Sequence, residues 1–259
     1  MRPRGGTTTV KLLIFGTTGG TGRALVEQAL EQGHEVTAFA RDPTKVRTTH
    51  KNLRVAKGDI LDSDSVAAAM KSQDVALSAL GIKVNVWAII VITIACQLFA
   101  ALVPLSRLFV WIVRAGAPVL ALLFFLRQKP TLSDGTRNIV QAMQECGVKR
   151  FVCESSLGIA DSKGQLGLLY NLLVIPLLLR NIFADKEAQE KIIKDSACEW
   201  VIVCPAALTN GPRTGVSKDG SKIGHWLFMA KISRADVADF MLKQLTDNAY
   251  LWKAPGISY

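Results

Sequence analysis

The sequence predicts an α/β protein with a doubly wound parallel sheet and an apolar helical-hairpin insertion after the fourth strand. Short apolar runs alternate with segments of helical spacing, which is the pattern of parallel strands joined by crossover helices. A glycine-rich turn lies between the first strand and the first helix. The alternation is interrupted once, between residues 84 and 129, where the chain becomes almost continuously apolar.

The first part of the chain contains four predicted strands and two predicted helices. The strands are short apolar runs, and the helices place apolar residues three and four positions apart. In chain order we expect a strand at 10–15, a helix at 20–32, strands at 35–40 and 53–56, a helix from the capping residues 62–64 to about 71, and a strand at 75–79.

The same alternation resumes after the apolar segment. We expect a helix capped by Ser133 or Asp134 and ending near 146, a strand at 150–153, a helix at 185–196, a strand at 200–204 that Pro205 closes, and a helix at 234–245 capped by Ser233. Residues 10–83 and 130–259 are therefore predicted to form one domain. The basic, polar residues 1–9 lack the apolar core of a secretory signal and are expected to be a disordered tail.

The interrupting segment contains two apolar runs, 86–103 and 108–126. As helices they would span roughly 27 and 28 Å, close to the ~30 Å of a bilayer's hydrocarbon core. One interpretation is a hairpin embedded in a membrane; the other is a hairpin packed on the domain or on a partner. Lys83, Arg127 and Lys129 flank the segment and would keep the domain on the cytoplasmic or organelle-matrix side. Arg114, inside the second run, counts against insertion.

Composition restricts the function classes. The chain has 259 residues and a net charge of +10, which favours anionic partners. Nucleic acid is not expected, because there is no zinc-ligand spacing, no RNA-recognition signature and no basic helix interleaved with aromatic residues. The five cysteines form no C-x-x-C pair, which indicates a reducing compartment and buried free thiols.

The turn after the first strand predicts a phosphate site. Its glycines, Gly16, Gly19 and Gly22, have the spacing G-x-x-G-x-x-G between a strand and a helix, the context of a Rossmann dinucleotide-binding turn. The amides at the start of the helix would face a pyrophosphate, assisted by the helix dipole. The residues expected to bind the cofactor here are Gly16, Thr18, Gly19, Gly20, Thr21 and Gly22.

The end of the second strand favours NADP(H) over NAD(H). An NAD enzyme usually has an acidic residue there to hold the ribose 2′-hydroxyl. Here the strand ends at Arg41, and Lys45 follows closely, which suits a 2′-phosphate. Asp42 lies one position later and complicates this assignment.

Two further strand ends are candidate cofactor contacts. Asp59 and Ile60 follow the third strand, where a carboxylate can accept a hydrogen bond from the adenine amino group, although a turn aspartate fits the same position. The small residues at the end of the fourth strand suit a close passage beside the ribose; the candidates are Ala79, Leu80 and Gly81.

These segments together resemble the atypical short-chain dehydrogenase/reductase family, and more narrowly its NmrA-like, NAD(P)H-binding branch, which includes flavin and biliverdin reductases. The glycine turn followed by Arg41 carries the resemblance, and so do residues 133–139 and 151–156. The resemblance implies that Ser155 and Ser156 lie near the nicotinamide ring. It also implies that Pro205 lines the cleft that holds the nicotinamide ring.

The sequence departs from the wider family at two points. The Tyr-x-x-x-Lys dyad is absent, since Val174 follows Tyr170 and Ala254 follows Tyr250 at the lysine position. Lys186 and Ser155 are the remaining catalytic candidates, although a solvated helix lysine fits Lys186 equally well. The second departure is Cys204, since the branch commonly has arginine before the proline.

The sequence therefore predicts an NADPH-dependent oxidoreductase that acts on a lipophilic acceptor such as a quinone or flavin, which can take its proton from water. The apolar segment leaves the carboxyl end of the fourth strand, where such sheets bind ligands, so membrane contact through 84–129 would place the acceptor beside the ring. The alternative is a non-catalytic NADP(H)-binding scaffold or redox sensor.

Overall fold

The computed structural model describes residues 9–81, 131–162, 180–220 and 230–259. Within these ranges the strands are β1 Lys11–Phe15, β2 Glu35–Ala40, β3 Leu53–Lys57, β4 Val75–Ser78, β5 Arg150–Glu154, β6 Glu199–Pro205, β7 Ala207–Thr209, β8 Lys218–Gly220, β9 Lys231–Ser233 and β10 Gly256–Ser258. The α-helices are α1 Gly20–Glu31, α2 Ser63–Met70, α3 Leu132–Cys146, α4 Arg180–Lys194 and α5 Arg234–Lys243, and 3-10 turns occupy Pro43–Lys45 and Ala160–Ser162.

The main sheet has the order β3-β2-β1-β4-β5-β6-β10-β8. Its pairs are parallel except β10 with β8, and β7 and β9 form a separate parallel pair. The order reverses at β1, which pairs with β2 on one side and β4 on the other. This is the doubly wound Rossmann topology expected from the sequence, and its ligand crevice lies beyond the carboxyl ends of the strands at this reversal.

Apolar layers cover both faces of the sheet. Leu12 and Ile14 of β1 pack into one layer, and Leu13 and Phe15 pack into the other. The first layer includes residues of α1 and α5, and the second includes residues of α2, α3 and α4. Because both faces are covered, β1 is apolar at consecutive positions rather than at alternating ones.

Local capping explains two helix starts, as expected, but not a third. Asp62 accepts a hydrogen bond from the Asp64 amide at α2, and Ser233 does so from the Asp236 amide at α5. The expectation that Ser133 or Asp134 caps α3 was wrong. The helix begins at Leu132, and the carboxylate of Asp185 in α4 accepts hydrogen bonds from the amides of residues 131–133 at 3.0 Å each. This cap comes from another helix, so no local pattern could reveal it.

The remaining differences concern short or shifted elements. Helix α4 begins at Arg180, ahead of the expected 185, and the three-residue strands β7 to β10 were not predicted because they are too short to show an alternation. The expected insertion at 84–129 and all but the last residue of the expected tail at 1–9 lie outside the described residues. Among the residues that are described, no helix is both long and apolar enough to cross a membrane.

Candidate functional site

The turn between β1 and α1 is built around contacts that only glycine permits. Gly16 has a φ of +78°, and a β-carbon on it would lie 2.3 Å from the carbonyl oxygen of Ala79. A β-carbon on Gly22 would lie 2.1 Å from the Gly16 carbonyl oxygen. The Gly19 amide donates to that same oxygen at 2.9 Å. The turn therefore brings α1 and the end of β4 together at the sheet's reversal.

The start of α1 is suited to an anionic ligand. Gly19 is the N-cap residue, it provides no side-chain cap, and the first turn of the helix contains no acidic residue. Thr18 and Gly19 are partly exposed and Gly20 is exposed. Free amides at a helix start, together with the helix dipole, are the features that bind phosphate. The residues present therefore fit a dinucleotide's pyrophosphate.

Arg234 also lies at this turn, and the sequence reasoning missed it. A β-carbon on Gly20 would lie 2.4 Å from Arg234 Cδ and 2.8 Å from its Nε, so the side chain crosses over the turn. Its Nη1 donates to the side-chain oxygen of Asn210 at 2.7 Å. Arg234 is more than 200 positions from Gly20, and only the packing of α5 against α1 brings its guanidinium to the phosphate turn.

The end of β2 places Arg41 and Lys45 at the surface. Arg41 is exposed and makes no hydrogen bond or ion pair with another described residue. The carboxylate of Asp42 accepts hydrogen bonds from the amide and hydroxyl of Thr44 and lies 3.1 Å from Lys45 Nζ. These hydrogen bonds lower the pKa of Asp42. Asp42 is thus occupied within its own turn.

The loop after β3 is held by side chains on both sides. The Asp59 carboxylate accepts from the Leu61 amide at 3.1 Å, which makes a local turn. The carbonyl of Ile60 accepts from the Asn138 amide group at 2.9 Å. Both candidate residues are partly exposed at the carboxyl edge of the sheet. The backbone of Ile60 is therefore held by α3 and that of Asp59 by Ser65 of α2, and the Asp59 carboxylate already has a partner.

The end of β4 continues this edge beside Gly16. The Ala79 amide donates to the Phe15 carbonyl at 3.0 Å, which extends the pairing of β1 with β4 by one residue. Ala79 is buried, Leu80 is partly exposed and Gly81 is exposed. The three candidates therefore run outward from the sheet, directly next to the glycine turn.

A buried polar cluster lies at the end of β5. Glu154, the last residue of the strand, accepts a hydrogen bond from the Thr21 hydroxyl at 3.0 Å. Burial raises the pKa of Glu154, and the positive charges of Lys186 and Arg234 only partly offset this. Ser155, the next residue, is buried as well, whereas Ser156 is partly exposed. Glu154 was missed because an acidic residue at a strand end resembles an ordinary turn residue.

Helix α4 supplies the other half of this cluster. Lys186 is 8% exposed and Glu190 is 2% exposed, and they lie one helical turn apart on the same face. The Ser155 hydroxyl donates to Glu190 Oε1 at 2.5 Å. Lys194 Nζ lies 3.7 Å from Glu190 Oε2. Lys186 is therefore a buried cation at the carboxyl edge and not a solvated surface lysine.

The end of β6 closes the cluster from the other side. The Pro205 carbonyl accepts from the Leu157 amide at 2.9 Å, which joins β6 to the segment after Ser156. Cys204 and Cys153 pack in the apolar layer that also contains residues of α3. Burial raises the pKa of Cys153 to about 12 and raises that of Cys204. The residue before the proline therefore belongs to the core, and both cysteines are buried free thiols, as the sequence indicated.

Comparison with known proteins agrees with this geometry. A family model described as NAD(P)H-binding matches residues 16–104 and 111–248. The chain belongs to this NAD(P)H-binding family. The match confirms the NAD(P)H-binding family that the glycine turn and the resemblance predicted.

This chain matches only part of the length of its relatives. A chloroplastic protein of Arabidopsis thaliana is 28% identical over 214 residues, which cover 80% of this chain and 62% of that protein. Eugenol synthase 2 of Clarkia breweri is 39% identical over 80 residues, which cover 27% of this chain and 26% of the enzyme. The chain thus spans less than two thirds of these relatives.

Solved structures share the fold at low identity. An oxidoreductase of Lactococcus lactis matches with a TM-score of 0.68 at 17% identity. The match covers 96% of this chain and 90% of the oxidoreductase chain. ChuY, an anaerobillin reductase of Escherichia coli O157:H7, has a TM-score of 0.67 at 18% identity and covers 96% of both chains. These likenesses show that this chain shares their fold.

Proposed function

We propose that the protein is an NADPH-dependent oxidoreductase that reduces a small apolar acceptor such as a quinone or a flavin. The observation that carries this proposal is Lys186, a lysine only 8% exposed at the carboxyl edge of the sheet. Burying an ammonium group is costly, and such groups concentrate at functional sites. Ser155 follows the strand end that Lys186 faces, so two polar groups would meet the acceptor.

The residues proposed to hold the cofactor follow the carboxyl edge from β3 to β6. The bound dinucleotide would supply a hydride, which is the redox chemistry of the reaction. The glycine turn would bind the pyrophosphate through amides, and the ends of β3 and β4 would border the adenosine and the ribose. The proposed contacts are Gly16, Thr18, Gly19, Gly20, Thr21, Gly22, Arg41, Lys45, Asp59, Ile60, Ala79, Leu80, Gly81, Ser156 and Pro205.

The arrangement at the end of β2 supports a preference for NADP(H). Arg41 is exposed and unengaged by the described residues, so its guanidinium is free to bind a 2′-phosphate in a bidentate manner. Asp42, the residue that would favour a 2′-hydroxyl, is committed to Thr44 and Lys45. The Asp42 carboxylate therefore does not accept a hydrogen bond from the ribose 2′-hydroxyl, and it repels a 2′-phosphate only weakly.

Lys186 is proposed to stabilise negative charge as it develops on the reduced acceptor. A buried cation acts strongly because little water screens it. Its ammonium group also carries a proton that the acceptor can take, which would replace the absent Tyr-x-x-x-Lys dyad. Relatives named as a 3-beta-hydroxysteroid dehydrogenase and as phenylcoumaran benzylic ether reductases support redox chemistry on an apolar molecule.

The test is NADPH oxidation, followed by the loss of nicotinamide absorbance, with a panel of quinones and flavins. Lys186→Met should lower kcat by about 10²–10⁴-fold, the usual contribution of an acid–base group, while NADPH affinity changes little. Lys191→Met, on the exposed face of the same helix, should behave as the wild type. Full kcat in Lys186→Met would overturn the assigned role.

The alternative is a scaffold or redox sensor that binds NADP(H) without turnover, and the missing dyad favours it. The two functions are separated by one comparison. Tight NADPH binding in calorimetry, with no oxidation by any acceptor of the panel, supports the sensor. Oxidation that Lys186→Met abolishes supports the enzyme.

We also propose that residues 84–129 contact a membrane from the cytoplasmic or organelle-matrix side and bring a lipophilic acceptor to the site. The support is the apolar sequence itself and its position after β4, whose carboxyl end adjoins Gly16. Flotation of the purified protein with lipid vesicles tests this. A variant in which a Gly/Ser linker replaces 84–129 should remain in the aqueous fraction and still bind NADPH.

A further inference from the structure

One guanidinium acts on both the phosphate turn and the buried carboxylate of Glu154. The Arg234 side chain crosses over Gly20, where an added β-carbon would lie 2.4 Å from Arg234 Cδ. Its positive charge also acts on Glu154, the last residue of β5. Glu154 in turn accepts a hydrogen bond at 3.0 Å from the hydroxyl of Thr21, in the first turn of α1. The proposed diphosphate site and a buried carboxylate therefore meet at the same end of α1.

Two cations and a second carboxylate surround Glu154. Among the described residues, the polar and titratable groups near it come from α1, α4, α5 and its own strand, and they are the Thr21 hydroxyl, Lys186, Glu190, Arg234 and the Cys153 thiol. Because Lys186 lies one helical turn from Glu190, its charge is divided between two carboxylates. Burial raises the pKa of Glu154 above its ordinary 4.5 despite both cations.

A bound dinucleotide would bring the negative charges of its diphosphate to the start of α1. The diphosphate would face the amides there and engage Arg234. An anion at this position disfavours a negative charge on Glu154, and it neutralises the guanidinium that otherwise stabilises that charge. Thr21 is 4% exposed and Glu154 is 6% exposed, so little water screens the interaction. The effect therefore requires no contact between the ligand and the buried carboxylate.

We propose that the protein takes up a proton at Glu154 when a dinucleotide binds, so that cofactor affinity falls as the pH rises. The coupling rests on the proposed function, but only on its placement of the diphosphate at the glycine turn and not on turnover. The carboxylate and a proton from solvent give a neutral carboxyl group, and no bond of the cofactor changes. The neutral group can still accept the hydrogen bond from Thr21, which keeps the end of β5 attached to α1.

The coupling acts over a defined range of pH. Below the pKa of Glu154 in the free protein, the group is neutral with and without cofactor, and affinity is highest. Binding raises this pKa further, so between the two values about one proton is taken up and Kd increases by up to about tenfold per pH unit. Above the higher value the carboxylate is ionised in both states, and affinity is lowest. Because burial already raises the lower value, the range begins above pH 4.5.

Titration calorimetry with NADPH measures the proton uptake directly. Titrations from about pH 5 to about pH 9, in buffers of different ionisation enthalpy, give the number of protons from the slope of the observed enthalpy. Glu154→Gln replaces the carboxylate with a neutral group of the same shape, and Glu27→Gln, at an exposed position of α1, is the control. The 2′-phosphate of NADPH also titrates, with a pKa of about 6, but its contribution is the same for all three proteins.

At the pH of greatest uptake, the wild type and Glu27→Gln should take up about one proton more than Glu154→Gln. Toward high pH, Glu154→Gln should bind NADPH about tenfold or more tightly than the wild type, which corresponds to a shift of about one pKa unit on binding. Equal uptake by the wild type and Glu154→Gln at every pH overturns the coupling and leaves the proposed cofactor site standing. Failure of the wild type to bind NADPH at all overturns both.

Infrared difference spectra give a second readout that does not depend on a variant. Addition of NADPH to the wild type should replace a carboxylate band with the carbonyl band of a protonated carboxyl group. The absence of this band across the whole pH range would also overturn the coupling.

Discussion

The hydroxyl of Thr21 donates a hydrogen bond to the buried carboxylate of Glu154 at 3.0 Å. Thr21 belongs to the first turn of α1, where the phosphates are expected, and Glu154 directly precedes Ser155. One hydrogen bond therefore joins the glycine turn to the end of β5, directly before Ser155. A change of charge at Glu154 is therefore expected to affect both the glycine turn and the segment around Ser155.

Replacing Glu154 with Gln should stabilise the protein at neutral pH. Burial raises the pKa of Glu154 above its ordinary 4.5, despite the charge of Lys186 and the hydrogen bond from Thr21. Ionisation therefore costs the folded state more than the unfolded state, and the cost grows as the pH rises above about 4.5. Thermal unfolding should show a higher Tm for Glu154→Gln at pH 7 and no difference at pH 4.

The control for this measurement is Glu27→Gln, an exposed position on α1. Its Tm should follow that of the wild type at both pH values. A lower Tm for Glu154→Gln at pH 7 would mean that the attraction between Glu154 and Lys186 outweighs the cost of burial, contrary to the expected sign.

Gly22→Ala should abolish dinucleotide binding. The added β-carbon would lie 2.1 Å from the Gly16 carbonyl oxygen, so either α1 or the turn must move. Overpacking commonly costs about 1–3 kcal/mol, and a clash with backbone lies at the upper end. Calorimetry with NADPH and thermal unfolding measure the two effects. In Gly211→Ala the new β-carbon makes an ordinary 3.5 Å contact, so this variant should keep both properties.

The sequence was sufficient for strands β1 to β6 and for the glycine turn because their signals are local. Gly16 and Gly22 stand at fixed offsets between a strand and a helix, and the apolar run at β1 reflects burial on both faces. Asp185, Glu190 and Arg234 carry no such signal. Each acts on a residue at least 35 positions away, so its role depends on how helices pack and not on neighbouring residues.

Asp236→Asn should destabilise the protein in a pH-dependent manner. Burial raises the pKa of Asp236, but hydrogen bonds from Tyr259, Gly215, Ser233 and Thr214 outweigh burial and lower it to about 2. A depressed pKa contributes stability above the ordinary value, here about 2 kcal/mol, which is lost as the pH falls from about 4 to about 2. Urea unfolding at several pH values measures this.

The graded comparison is Tyr259→Phe, which removes one of the hydrogen bonds to Asp236 and leaves the others. Its loss of unfolding free energy should be smaller than that of Asp236→Asn. If the difference between Asp236→Asn and the wild type stayed constant from pH 7 to pH 3, the hydrogen bonds would not be responsible for the stability.

Arg41→Ser should reduce affinity for NADPH without reducing affinity for NADH. A guanidinium bound to a 2′-phosphate contributes about 1.5–3 kcal/mol, which corresponds to roughly 10–150-fold in Kd. Fluorescence titration with both cofactors gives the ratio of the Kd for NADPH to the Kd for NADH. Arg137→Ser removes an exposed arginine that is paired with Asp134 and should leave the ratio unchanged. Equal losses for both cofactors would show that Arg41 does not contact the 2′-phosphate.

Arg234→Gln should weaken NADPH binding by about tenfold or more, the effect of losing a charged hydrogen bond to phosphate. The guanidinium crosses over Gly20 and is oriented by Asn210, so it lies beside the amides that would hold the pyrophosphate. Part of the interaction is electrostatic, and the salt dependence of Kd should therefore become shallower. Lys149→Gln removes a positive charge just before β5, at the opposite edge of the sheet, and should retain wild-type binding. An unchanged Kd together with a lower Tm for Arg234→Gln would show that Arg234 packs against the turn but does not bind the cofactor.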